Sequence, residues 1–146
     1  MIIIDSIYIN SYGGKILLNY FIDSLRKKKD LKNFLFFFDD RLLLDFDISG
    51  INFLKVQPNH FSRRDAYLKN IKKAKKVFCL SNIPPPLSLK CSVYIYFHNL
   101  LFLKWNTWIH FIKFLYILLY NKTTYNWIVQ TNYTKNLLSR RIKLKK

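Results

Sequence analysis

His98 and Asn99 close an apolar run at residues 93–97, Gly13 and Gly14 precede an amphipathic stretch that opens on Lys15, and Asn59, Arg63 and Arg64 surround Ser62. These residue types suit recognition of an anionic, hydroxyl-rich ligand. An imidazole or carboxamide both donates and accepts hydrogen bonds, adjacent glycines let backbone N–H groups come close to a phosphate, and arginines grip anionic oxygens with a planar fork. Each position also has a purely structural reading: a plain turn for the glycines, a hydrogen-bonded strand end for His98, and a solvated helix face for Arg63 and Arg64 beside Asp65. His60 and His110 read as structural, one in a loop and one on a polar helix stripe shared with Asn106 and Lys113. With three histidines and no CxxC spacing, neither a metal site nor a cofactor is expected. Cys79 and Cys91 fall in or beside buried strands, where thiols are inert in a reducing cytoplasm.

The elements that would carry these residues alternate. Residues 2–4, with 7–9 as an optional continuation, form a first strand, and 11–14 (Ser-Tyr-Gly-Gly) read as a turn. Ile16, Leu17, Tyr20, Phe21 and Leu25 have the spacing of an amphipathic helix over 15–28. Apolar runs at 33–38, 52–56, 77–80 and 93–97 are short, bounded by breakers and rich in β-branched and aromatic residues, the pattern of strands buried on both faces. Residues 39–50 read as a loop, and Ser62 as the cap of a helix running to about 75. Pro84, Pro85 and Pro86 stiffen the connection between the fourth and fifth strands. A helix at 104–120, a strand at 127–131 and a basic helix from 133 complete the chain. The pattern predicts an α/β fold: a single Rossmann-like domain over 1–131, mostly parallel sheet with helices on both faces, followed by a basic helix and tail at 132–146. A histidine ending a parallel strand then faces the crevice where such sheets bind ligands.

Composition narrows the partners. The chain has 146 residues, enough for one domain, and 51% hydrophobic residues, too many for a disordered chain. Its net charge is +17, distributed unevenly: ten basic residues accompany all eight acids up to Asp65, and fifteen basic residues follow from Ala66 with no acid. Such a field attracts an anionic membrane surface, nucleic acid or a phosphorylated substrate. A nucleic-acid-binding protein is the competing reading, but the aromatics sit in apolar runs such as 34–38 rather than interleaved with basic residues, so nucleic acid is the disfavoured partner. The N-terminus lacks the pattern of a signal peptide. Lys104 and Lys113 interrupt the stretch at 91–121, which fits a helix lying in a membrane interface better than a spanning one. The expected location is cytoplasmic, peripheral at the inner membrane face.

Taken in order, the first strand with Gly13-Gly14, then PNHFSRRDAYLKN, VFCLSNIPPPL, VYIYFHNLLFL and WIVQT resemble the N-terminal acceptor domain of bacterial GT-B glycosyltransferases. They are most similar to family 4 enzymes of lipopolysaccharide or capsular polysaccharide synthesis. The resemblance implies one half of a GT-B fold, with a nucleotide sugar and a glycan or lipid-linked acceptor as ligands. It implies that Gly13 and Gly14 lie near the donor diphosphate and that His98 faces the transferred sugar as the catalytic residue; Lys15, Asn59, Arg63 and Arg64 at a helix N-terminal turn, and Asn99 beside His98 are the further substrate-binding candidates. The family's donor domain carries a glutamate pair, and this chain contains no glutamate. The expectation is therefore a lobe that is inactive alone, either truncated or paired with a separately encoded donor domain.

Overall fold

The computed structural model describes residues 1–10, 12–104 and 107–144. Six strands, β1 (Ile2–Ser6), β2 (Phe34–Asp39), β3 (Phe53–Val56), β4 (Lys76–Cys79), β5 (Ser92–Phe97) and β6 (Asn126–Val129), form one sheet in the order β3-β2-β1-β4-β5-β6. Every pairing is parallel. The chain thus grows outward in one direction from β1 and then, after β3, in the other from β4. The break falls between β1 and β4, where consecutive connections leave in opposite directions and open a crevice at the strands' carboxyl ends.

Among the described residues five α-helices cover the sheet: α1 (Tyr12–Lys27), α2 (His60–Asn70), α3 (Leu101–Lys104), α4 (Trp108–Tyr120) and α5 (Asn132–Ser139). Strand alternation decides which face each covers. Ile4, Phe36 and Phe38 point to Leu18 and Ile22 of α1, whereas Ile3, Phe37, Val77 and Ile95 point to Ala66 and Tyr67 of α2. Phe97, two residues beyond Ile95 and on the same side, packs with Phe114 and Ile117 of α4 and Leu138 of α5. Strand β2 is buried along its whole length, which is why its sequence is an unbroken apolar run up to Asp39.

Several boundaries differ from those expected. Gly13 and Gly14 belong to the first turn of α1 rather than to a turn before it. Asn59, not Ser62, caps α2: its Oδ1 accepts from the Ser62 N–H at 2.8 Å. His60 accordingly opens a helix rather than lying in a loop. The helix expected at 104–120 is two elements, and Thr107 caps the longer one. Ser11, Trp105 and Asn106 lie outside the described residues, and so does Asn106's place on the polar stripe of α4.

Candidate functional site

The crevice between β1 and β4 is held by two buried carboxylates. Asp5, in the middle of an apolar strand, is fully buried and ion-paired with Arg63 of α2 at 2.7 Å. Arg63 also donates to the carbonyl oxygens of Pro84 (2.8 Å) and Ile83 (3.4 Å) and to the Tyr116 hydroxyl (3.2 Å). The Tyr67 hydroxyl donates to Asp5 at 2.7 Å. One guanidinium therefore ties β1, α2, the proline loop and α4 together. Burial opposes the Arg63 cation, but Asp5, with Tyr67, Cys79 and Tyr116 adding to it, holds its pKa well above the ordinary value. Burial and Asp5 push the Cys79 thiol up to about 12, leaving it an inert packing group.

Asp39, at the carboxyl end of β2, is the second buried acid. Its Oδ2 accepts from the Tyr8 N–H (3.0 Å) and Arg41 Nη2 (2.8 Å), and its Oδ1 from the N–H (3.0 Å) and Nε (2.9 Å) of Arg41. Dinucleotide-binding sheets use an acid here for ribose hydroxyls and a glycine-rich turn after β1. In this chain both acid oxygens are engaged and the turn is Ile7-Tyr8-Ile9-Asn10. The glycine-rich turn of that pattern is not found after β1.

Two of the loops around it hold non-glycine residues in the left-handed region, Tyr8 after β1 at φ 78° and Asn82 after β4 at φ 68°. Asparagine tolerates that conformation; for a tyrosine it is strained, and the N–H bond to Asp39 helps to hold it. Asn82 Oδ1 accepts from the N–H groups of His98 (2.7 Å) and Asn99 (2.9 Å), fixing the end of β5 against the end of β4. A polar cavity of about 270 Å³ results, lined by Tyr8, Asn10, Gly14, Ser81, His98 and Lys113 among others. An adjoining apolar one of about 160 Å³ is lined by Ile83, Ile112, Tyr116 and His60, and shares Tyr8, Ser81 and Lys113 with the first.

The residues singled out in the sequence divide clearly. Gly14, His98 and Asn99 meet in the polar cavity. A Cβ on Gly14 would stand 3.0 Å from Ile9 Cγ2, so the Ile9 side chain would have to give by a few tenths of an ångström, whereas a Cβ on exposed Gly13 meets nothing within 4 Å. Lys15 is engaged elsewhere, with Asp45 at 2.5 Å. Asn59 spends its side chain on the helix cap. Arg64 is exposed on α2. Arg63 is neither solvated nor a surface ligand contact; it is 0% exposed because it shares the inward face of α2 with Ala66 and Tyr67. The signal that would have found it is Asp5, an acid inside an apolar strand, which requires a buried partner.

Lys113 is the site residue that the sequence reading placed without a task. The polar stripe of α4 turns inward: Lys113 lies over the Phe102 ring at 5.0 Å and His110 packs beside the same ring. Burial and then Arg41 lower the Lys113 pKa.

Burial also holds the His98 pKa below 6.5. An unfolded chain takes up a proton at this histidine near 6.5 while the folded one stays neutral, so the His98 contribution to stability is present above that pH and is lost as pH falls below it. An NMR titration of the His98 ring is expected to give a midpoint under 6.5, and a midpoint above it would contradict this burial.

Comparison with protein-family models, curated proteins and solved structures returns no match for this chain. The functional reading therefore rests on the geometry. Among the described residues no cluster of histidine, cysteine or acidic side chains is arranged to hold a metal ion, and no helix is long and apolar enough to cross a membrane.

Proposed function

We propose that this chain is the acceptor-side lobe of a glycosyltransferase that moves a sugar from a nucleotide sugar to a glycan or lipid-linked acceptor. The observation that carries the reading is that Gly14 and His98, far apart in sequence, line one cavity at the carboxyl rim of a parallel sheet. In that arrangement the exposed first turn of α1 offers unobstructed backbone at Gly13 to a diphosphate, and the His98 imidazole faces the sugar. The glutamate pair that the resemblance implies for the donor is not found in residues 1–146, which contain no glutamate, so in this reading a separate domain holds the donor. The proposed working location is an anionic membrane surface. Trp108, Ile112, Leu115 and Leu119 recur at helical spacing on the outer side of α4 and are 73%, 49%, 40% and 79% exposed. Phe61 is also exposed, at 80%, on α2. No acid follows Asp65 to repel such a surface.

The test is an amide NMR titration of the chain with UDP-, GDP- and dTDP-sugars. Shifts confined to Gly13, Gly14, His98 and Asn99 are expected; shifts confined to the C-terminal basic segment, or none at millimolar ligand, would end the reading. Gly13→Ala sharpens it. The added methyl meets no atom within 4 Å and sits in a helical turn, so stability should rise by about 0.5 kcal/mol. Nucleotide-sugar binding should fall at the same time, because the methyl stands where the diphosphate approaches. Unchanged affinity in a more stable protein would remove Gly13 from the site.

A further inference from the structure

The two cavities differ in character and meet at one junction. The polar one is walled by Asn10, Asn82, His98 and Asn99. Ile83, Ile112 and Tyr116 wall the apolar one, and Ile112 also belongs to the exposed stripe of α4. At the junction, Ser81 is 6% exposed and its Oγ has no hydrogen-bond partner among the described residues; the same holds for His98 Nδ1. Lys113 lines both cavities and has no carboxylate within ion-pair distance among the described residues. The neighbouring acids are already matched, Asp5 by Arg63 and Asp39 by Arg41. A half-buried ammonium with no carboxylate partner, lining the same two cavities as an orphaned hydroxyl, is an arrangement that an anion would satisfy.

We propose that this junction binds the phosphoryl group of an amphiphilic phosphate, with Lys113 and Ser81 on the phosphoryl oxygens and the first carbons of the chain along Ile83, Ile112 and Tyr116. This deepens the reading above by giving the acceptor a chemical class, a lipid phosphate. Its polar remainder would occupy the cavity at His98 and Asn99, and its tail would leave over Ile112 onto the apolar stripe of α4. The ligand thus enters along the face proposed to lie on the membrane.

Calorimetric and NMR titrations of the full chain with inorganic phosphate, glycerol 3-phosphate and octyl phosphate below its micelle concentration test this. All three should shift Ser81 and Lys113, with octyl phosphate about tenfold or more tighter than the soluble phosphates, since several methylenes leave water. Lys113→Met should weaken octyl phosphate by about tenfold or more, without lowering the melting temperature, because it removes a charge that burial disfavours. Lys113→Arg should restore part of the affinity. Ile112→Ser should abolish most of the octyl advantage and leave inorganic phosphate binding unchanged. Equal affinity for inorganic and octyl phosphate, or an unaltered Lys113→Met titration, would overturn the proposal. The nucleotide-sugar titration separates the two claims: sugars that bind while alkyl phosphates do not would sink the acceptor class and spare the transferase reading. Alkyl phosphates that bind where sugars do not would support the amphiphile site and sink the transferase reading.

Discussion

Replacing Arg63 with methionine should cost the fold about 3–5 kcal/mol, the usual penalty for breaking a buried ion pair by removing one partner. The side chain is 0% exposed, as is its partner Asp5, so no water can replace the lost donors. The loss goes beyond the pair. The Pro84 and Ile83 carbonyls lose their guanidinium donor, so the proline loop loses its link to β1 and α2. A domain of this size is typically stable by about 5–15 kcal/mol, so the urea midpoint should fall by more than about 1 M. Arg64→Met on the exposed side of the same helix supplies the control, with an expected change within about 0.5 kcal/mol. Asp5→Leu combined with Arg63→Met should recover only part of the loss: it removes the uncompensated buried charge but leaves the Pro84 and Ile83 carbonyls without their donor and the Tyr67 hydroxyl without its acceptor. If Arg63→Met melts like the parent, the carboxylate is not locked in the core and the account of the crevice's floor is wrong.

The second large effect concerns the outer side of α4. Trp108→Ser, Leu115→Ser and Leu119→Ser together should reduce binding to anionic vesicles by about 100-fold, taking about 1 kcal/mol from each side chain as roughly half of a full apolar transfer. All three side chains are exposed, so the fold should lose little. The parent should bind neutral vesicles more weakly than anionic ones and should dissociate as salt rises, since lysines and arginines near the surface each add about 1 kcal/mol against anionic lipid. Equal vesicle binding by the parent and the triple variant, measured by co-sedimentation, would mean that this face does not enter the interface. The contrast with Ile112→Ser is informative, because Ile112 is proposed to serve the tail slot as well as the membrane.

The parallel sheet was readable because short, fully apolar runs alternated with amphipathic ones, and that pattern has few solutions. Residues 34–38 admit burial on both faces and little else. His98 was placed correctly at a strand end because the change from alternating apolar residues to His-Asn is a local signal. Boundaries were less secure: Asn59 and Ser62 are both good caps, and the choice between them depends on where β3 releases the chain. The glycines, expected as a turn, form part of the first turn of α1, with Gly14 set closely against Ile9.

The site divides along the same line. Periodicity alone marked His110 and Lys113 as one stripe of a helix, but periodicity does not say whether a stripe faces solvent or protein; docking against Phe102 turned it inward and left the apolar side exposed. Arg63 had the sequence context of a solvated charge run, and its real setting depends on Asp5, distant in sequence and adjacent in space only once β1 and α2 pack. Hydrophobic spacing is a property of neighbours along the chain, so it settled the class of fold and put His98 at the carboxyl rim of the sheet. Charge pairing across the crevice is a property of neighbours in space, so only the packed molecule could show which cations pair with buried acids and that Lys113 meets no acid among the described residues.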